Sequence, residues 1–232
     1  MEKKIVKIKD IPAIIWGKSC ESLYLYVHGQ GGNKEEAEYF AETVEKNGFQ
    51  VLSFDLPKHG ERLNEDKSFE PWNVIPELTM LMEFSQEYWK HISLFANSIG
   101  AWFSMLSFGK SSLESCLFIS PVLDMKQLII KMMSWANVTE DCLKQKQIIP
   151  TTFGQTLSWK YWKFVLAHPI TTWNVPTSIL YGKNDSLIEY ESITQFANDF
   201  HCDLLIMEHG EHWFHTKEQI AFMCEWVKQK TS

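Results

Sequence analysis

The chain has 232 residues, 45% of them hydrophobic and 14% aromatic, so it can bury a core of its own without disulfide bonds. This composition excludes a disordered chain and a disulfide scaffold, and the length indicates one α/β domain with an insertion. Its 22 Lys and Arg against 29 Asp and Glu give a net charge of −7, which opposes binding to phosphate backbones. We therefore expect no nucleic-acid partner.

The cysteines and the first residues predict the compartment. Five cysteines are scattered without a CxxC pair, which is typical of free thiols in a reducing cytosol. The opening MEKKIVKIKD leads into no long apolar stretch, and the longest uncharged run, residues 92–109, contains Asn97 and four serines. We expect a cytoplasmic protein without a signal peptide and without a membrane partner.

Short apolar runs alternate with amphipathic helical patterns along the chain, which predicts βαβ units and a mostly parallel central sheet flanked by helices. The first segment, from Ile5 to Trp16, predicts an antiparallel strand pair broken at Pro12. Further strands are predicted at 23–27, 50–54, 92–96, 116–119, 178–181 and 204–207. Helices are predicted at about 33–48, 71–88, 193–200 and from 216 onward, on apolar residues at helical spacing and on capping residues.

No strand pattern occurs between residues 119 and 178, and this gap is too long for an ordinary crossover. Within it, residues 125–173 show helix-like spacing in two halves separated by Pro150 to Gly154. We predict that 125–173 form a helical cap inserted into a core domain made of 1–124 and 174–232.

A serine follows the predicted strand 92–96 in a setting that suits a nucleophile. The sequence from Ala96 to Gly100 reads ANSIG, and an apolar helical run, 101–108, comes directly after it. A sharp strand-to-helix turn requires small residues on both sides of Ser98 and exposes its Oγ at the carboxyl edge of the sheet. If only its neighbours in sequence are considered, Ser98 is no more than a helix N-cap.

The turn resembles the GxSxG nucleophile elbow of the α/β-hydrolase family, with Ala96 in place of the first glycine. The resemblance implies an α/β-hydrolase fold in which Ser98 is followed along the chain by an acid and then a histidine. Residues 182–185 read GKND and are similar to the family's acid motif, which implies that Asp185 is the acid. Read locally, Asp185 forms an Asx turn or a helix cap, and Asp124, after the preceding strand, is the alternative acid.

By the same resemblance, the histidine lies in the loop after the last strand, which reads HGEHWFH, and its register makes His212 the base. His209 and His215 compete with it. Three histidines at this spacing could suggest a metal site, but no carboxylate or cysteine ligand pattern accompanies them. We expect neither a metal nor another cofactor.

The resemblance also assigns the oxyanion hole, which needs two N–H donors beside the developing charge. Ile99, directly after the nucleophile, supplies one. The loop after strand 23–27 reads HGQGG, similar to the family's HGxGG loop, and Gln30 supplies the other. A generic glycine-rich turn is the local alternative. Residues 55–60, DLPKHG, resemble the family's DxPGHG turn, to which we assign structure and no chemistry.

These roles together imply a serine hydrolase that cleaves a small or medium acyl ester through an acyl-enzyme intermediate, as a carboxylesterase does. An amidase or peptidase with the same triad is the alternative, and a non-catalytic ligand-binding protein on this fold is a second one. The expected partner is a small-molecule acyl substrate. Its hydrophobic pocket is predicted in the cap, at Met132, Met133, Trp159 and Trp162.

Overall fold

The computed structural model describes residues 1–109 and 111–231. Within them, the strands are β1 (Lys3–Ile8), β2 (Ile11–Trp16), β3 (Ser22–Val27), β4 (Phe49–Phe54), β5 (His91–Asn97), β6 (Cys116–Ile119), β7 (Ile148–Pro150), β8 (Thr156–Ser158), β9 (Thr177–Gly182) and β10 (Asp203–Met207). The helices are α1 (Glu38–Val44), α2 (Pro71–Tyr88), α3 (Ile99–Phe108), α4 (Met125–Trp135), α5 (Glu140–Lys146), α6 (Trp159–Ala167), α7 (Tyr190–Asp199) and α8 (Lys217–Thr231). None of the helices in these residues is long and apolar enough to cross a membrane.

A central sheet has the strand order β1-β2-β4-β3-β5-β6-β9-β10. The pairs β1–β2 and β2–β4 are antiparallel, whereas every pair from β4 to β10 is parallel. Alternate side chains of one strand enter two different buried clusters: Leu23 and Leu25 join one, and Tyr24 and Tyr26 join the other. Because both faces are covered, the predicted α/β class with a mostly parallel sheet is confirmed.

The parallel arrangement explains where a site can form. In a parallel sheet the carboxyl ends of all strands meet at one edge, and the loops that leave them lie side by side. The loops after β3, β4, β5, β6, β9 and β10 therefore share one edge, although they are far apart in sequence. All the residues predicted for the triad and the oxyanion hole lie in these loops or at the start of α3.

The predicted break at Pro12 is wrong. The turn lies at Lys9 and Asp10, which have φ angles of 45° and 72°, and Pro12 lies inside β2 opposite Lys7. The physical reason is that β2 pairs with β4 only from Ala13 onward, so the missing N–H of proline is not needed in that ladder. Its carbonyl is used, since it accepts a hydrogen bond from the Asp55 N–H.

Residues 125–173 contain three helices, α4, α5 and α6, and also a short antiparallel hairpin of β7 and β8. The predicted break from Pro150 to Gly154 is the turn of this hairpin, where Gly154 has a φ of 84°. Buried residues of the segment, among them Leu143 and Trp162, belong to the same apolar cluster as one face of the sheet. The domain boundaries themselves stay a prediction.

Two glycines bring the ends of β9 and β10 together. A Cβ on Gly182 would lie 2.4 Å from the Gly210 carbonyl carbon and 2.7 Å from the Glu211 oxygen. The loop after β10 can therefore cross β9 only over a residue without a side chain.

We predict that Gly182→Ala lowers the free energy of unfolding by about 1–3 kcal/mol, because the new methyl group must displace residues 210 and 211. Urea denaturation measures the loss. The matched control is Gly109→Ala, at a position with a helical φ of −57°, which should change stability by less than about 1 kcal/mol. Equal effects of the two substitutions would contradict the close approach.

Candidate active site

Ser98 occupies a strained turn between β5 and α3. Its φ of 49° and ψ of −122° lie outside the regions that residues with a side chain normally adopt. The turn is possible because its neighbours are small: Ala96 is fully buried, and a Cβ on Gly100 would lie 2.6 Å from the His28 carbonyl oxygen. The Ser98 side chain makes no capping hydrogen bond to α3, so it is not simply a helix cap.

The structure brings Ser98, His212 and Asp185 into one chain of hydrogen bonds. Ser98 Oγ lies 2.9 Å from His212 Nε2, and His212 Nδ1 lies 2.7 Å from Asp185 Oδ2. The Asp185 side chain is fully buried, whereas the imidazole is 21% exposed and remains open to a substrate. This geometry allows the imidazole to take the hydroxyl proton while the carboxylate fixes its orientation.

Asp185 also forms the local structure that its sequence suggests. Its Oδ1 accepts hydrogen bonds from the N–H groups of Leu187 and Ile188, at 2.8 and 2.9 Å. These bonds form an Asx turn and fix the plane of the carboxylate, so that Oδ2 is directed to His212. Asp185 therefore forms an Asx turn through Oδ1 and contacts the histidine through Oδ2.

The alternative acid, Asp124, is not in contact with the imidazole. It lies at the N-cap of α4, where its Oδ1 accepts a hydrogen bond from the Gln127 N–H at 3.0 Å. Its side chain therefore has a structural partner within its own helix.

His209 and His215 lie outside the hydrogen-bond chain. The carbonyl of His209 accepts a bond from the Gln219 side chain, and the exposed His215 ring bonds the Trp213 carbonyl at 2.8 Å. Among residues 1–109 and 111–231, no three His, Cys, Asp or Glu side chains are grouped so that they could hold a metal ion.

The two predicted oxyanion donors flank Ser98. Helix α3 begins at Ile99, so the N–H groups of its first turn have no partner within the helix and carry the positive end of its dipole. On the other side, a Cβ on Gly29 would lie 3.2 Å from the Ser98 Cβ, which places the loop that holds Gln30 against the serine. Gln30 itself is exposed. Two N–H donors beside Oγ would stabilise an oxyanion, and the assignment of this role to Ile99 and Gln30 stays a prediction.

The architecture has close parallels among solved structures. The esterase Est1E from Butyrivibrio proteoclasticus, with ferulic acid bound, aligns with a TM-score of 0.77 at 17% identity, covering 98% of this chain and 97% of that one. α/β-Hydrolase domain-containing protein 10 from mouse aligns with a TM-score of 0.78 at 12% identity, over 99% and 98% of the chains. The chain has the α/β-hydrolase fold.

A soluble variant of monoglyceride lipase from Saccharomyces cerevisiae has the same fold, with a TM-score of 0.65 at 11% identity over 98% of this chain and 94% of that one. No family model matches the sequence, and no curated protein matches it. At identities this low, the likeness establishes the α/β-hydrolase fold and leaves function to the site.

The loop after β4 contacts the site, although the sequence assigned it structure alone. Its His59 Nε2 accepts a hydrogen bond from the Gly31 N–H at 3.0 Å. Its Asp55 is fully buried and accepts from both the backbone N–H and the Nζ of Lys34, at 2.9 and 2.8 Å. Sequence reasoning missed these contacts because their partners are mostly backbone groups, which leave no side-chain pattern.

The four predicted pocket residues lie in or against the apolar core of this α/β-hydrolase fold. Met133 and Trp162 are buried, and Met132 and Trp159 are half-buried against the same cluster. A cavity of about 240 Å³ lies between α4 and the loop after β9, and it is lined by other residues, including Leu128, Ile130, Trp135 and Leu187. The pocket at the four residues stays a prediction.

We predict that His28 makes stability depend on pH. The ring is fully buried, and burial lowers the pKa of His28 to about 4, below the value of about 6.5 in an unfolded chain. Between these pH values the unfolded state binds the extra proton, so the free energy of unfolding falls as pH decreases from about 6.5 to about 4, by about 3 kcal/mol at most. The neighbours that face it are His59 and Asp55.

Urea denaturation across this pH range measures the effect. His28→Gln, which cannot titrate, should flatten the dependence, whereas His201→Gln at an exposed histidine should not. Equal slopes for wild type and His28→Gln would contradict the prediction.

Proposed function

We propose that the chain is a serine hydrolase that cleaves a small or medium acyl ester through an acyl-enzyme intermediate. The observation that carries the proposal is the hydrogen-bond chain from Ser98 through His212 to Asp185, built on a strained strand-to-helix turn. Esterases and a lipase among the proteins of the same fold support it.

In the proposed mechanism, His212 Nε2 takes the Ser98 proton as Oγ attacks the acyl carbonyl. Asp185 holds the imidazole in the required tautomer and stabilises the imidazolium. The Ile99 and Gln30 N–H groups donate to the oxyanion, and the tetrahedral intermediate collapses as the imidazolium protonates the leaving alcohol. His212 then activates water, which releases the acid and restores the serine.

We further propose that residues 125–173 cap the site and that the protein acts in the cytoplasm. The cap proposal is supported by the position of this segment between β6 and β9, because β6 is adjacent to the strand that precedes Ser98 and β9 is the strand that precedes Asp185. The five cysteines are free thiols, which is consistent with a reducing compartment.

We predict that Ser98→Ala lowers kcat/KM for p-nitrophenyl esters by a factor on the order of 10³ or more, because the triad acts as a unit. Esters of graded chain length, assayed beside aminoacyl anilides, distinguish an esterase from an amidase. A serine-reactive phosphonate should label the wild type at Ser98 and leave the variant unlabelled. Labelling of another serine, or full activity of the variant, would contradict the assignment.

Asp185 and Asp124 have different contacts, and we predict that their asparagine variants differ in activity. Asp185→Asn should lower kcat by about 10³- to 10⁴-fold, since it removes the acceptor that fixes the His212 tautomer. Asp124→Asn is the matched control and should keep activity within about threefold, because asparagine also caps helices. Steady-state kinetics on one ester decides between them, and the reverse ranking would place the acid after β6.

The histidines allow a similar comparison. We predict that His212→Ala is as damaging as Ser98→Ala, while His209→Ala and His215→Ala keep most of the activity, because only His212 contacts the serine. Initial rates on a single ester measure all three. Loss of activity on treatment with a chelator, with recovery on adding zinc, would point instead to a metal-dependent reaction.

A further inference from the structure

Two buried imidazoles connect the loop of residues 28–32 to the loop of residues 55–60. His28 Nε2 accepts a hydrogen bond from the Leu56 N–H at 3.1 Å, and His59 Nε2 accepts one from the Gly31 N–H at 3.0 Å. Each ring thus reaches from its own loop to the backbone of the other. We call this pair of rings, His28 and His59, the histidine pair.

The partners fix the tautomer of both rings. A backbone N–H can only donate, so the Nε2 that it meets is a bare acceptor and the ring proton lies on Nδ1. The Nδ1 atoms are placed accordingly, since His28 Nδ1 donates to the Gly29 carbonyl at 2.7 Å and His59 Nδ1 donates to the Pro57 carbonyl at 2.8 Å. Every ring nitrogen of the histidine pair has a partner.

These bonds act on the two peptide planes that meet at Gln30. The carbonyl of Gly29 and the N–H of Gln30 belong to one planar peptide group, so the bond from His28 to that carbonyl fixes the direction of the Gln30 N–H. The next plane contains the Gly31 N–H, which His59 holds. A hydrogen bond to a peptide carbonyl also polarises the group and strengthens its N–H as a donor.

The surroundings keep both rings of the histidine pair neutral and fixed in position. The exposed fraction is 0% for His28 and 7% for His59, and the two rings are 5.0 Å apart. Phe69 packs edge-on against His59 at 4.5 Å. Burial also lowers the pKa of His59, so both rings retain the bare Nε2 that the contacts require.

We propose that His28 and His59 are positioning residues of the oxyanion hole, which hold the Gln30 N–H in the direction that a tetrahedral intermediate needs. This role rests on the proposed serine hydrolase function. It assigns the loop after β4 a part in the chemistry, through backbone atoms and without contact to the substrate.

The test compares His59→Leu, which removes the acceptor for Gly31, with His59→Gln, whose Oε1 can still accept. For a p-nitrophenyl ester, His59→Leu should lower kcat by about 10- to 100-fold, less than the loss of a whole oxyanion donor, with KM changed by less than about threefold. His59→Gln should recover most of kcat. The matched control is His91→Leu, an exposed histidine at the start of β5, which should change neither constant.

A second readout separates positioning from general destabilisation. The sulfur of a thionoester is a poor acceptor for N–H donors, so an intact oxyanion hole favours the ester over the thionoester. His59→Leu should reduce this preference, with rates expressed per site labelled by a phosphonate. A variant that was merely unstable would have fewer competent sites and an unchanged preference, and that outcome would overturn the proposal.

The tautomers can be measured in the wild-type protein, independently of any variant. In ¹⁵N-histidine NMR, both rings of the histidine pair should be in the neutral Nδ1–H form at pH 7. An Nε2–H form for either ring would overturn the proposed positioning role. If the wild type neither hydrolyses acyl substrates nor reacts with the phosphonate, the serine hydrolase proposal fails, and this role fails with it. Wild-type turnover with an unchanged ester preference in His59→Leu refutes the positioning role alone.

Discussion

Where the nucleophile turn crosses the end of β3, Gly100 packs against the carbonyl oxygens of Val27 and His28, and a Cβ there would be 2.8 and 2.6 Å from them. This contact allows α3 to begin beside the loop of residues 28–32. The turn is held from its other side by the chain that leaves β6, because Ser98 donates to the Ile119 carbonyl and accepts from the Val122 N–H. The two main-chain bonds on the β6 side and the close packing of Gly100 on the β3 side together offset the strain of the serine.

Two buried ion pairs stabilise the loops that lie behind the site. Asp55 and Lys34 form an ion pair in which the exposed fractions are 0% and 2%, and Arg62 forms a two-bond pair with Glu77 close by. Removing one partner of such a pair leaves an uncompensated charge and typically costs about 3–5 kcal/mol. Because Lys34 lies two residues after Gly32, its two bonds to Asp55 connect the end of the loop of residues 28–32 to the loop after β4.

The central strands could be predicted from sequence because they are buried on both faces, and continuous runs of apolar residues are the signature of such strands. The prediction at 50–54 differs by one residue from Phe49–Phe54. The hairpin of β7 and β8 could not be predicted, since three-residue strands are too short to show a period. Sequence also could not show that β2 accommodates Pro12, because the ladder partners of this residue depend on tertiary pairing.

The two candidate acids show where sequence reasoning about the site ends. Asp124 and Asp185 both follow a strand, and one oxygen of each accepts a local N–H within three residues. Local sequence therefore describes them alike. They differ in the second oxygen: that of Asp185 meets His212, 27 residues away, and this contact exists only because Gly182 and Gly210 let two strand ends cross. The histidine is thus oriented by a packing contact between backbones, which the resemblance of motifs implies but local sequence does not contain.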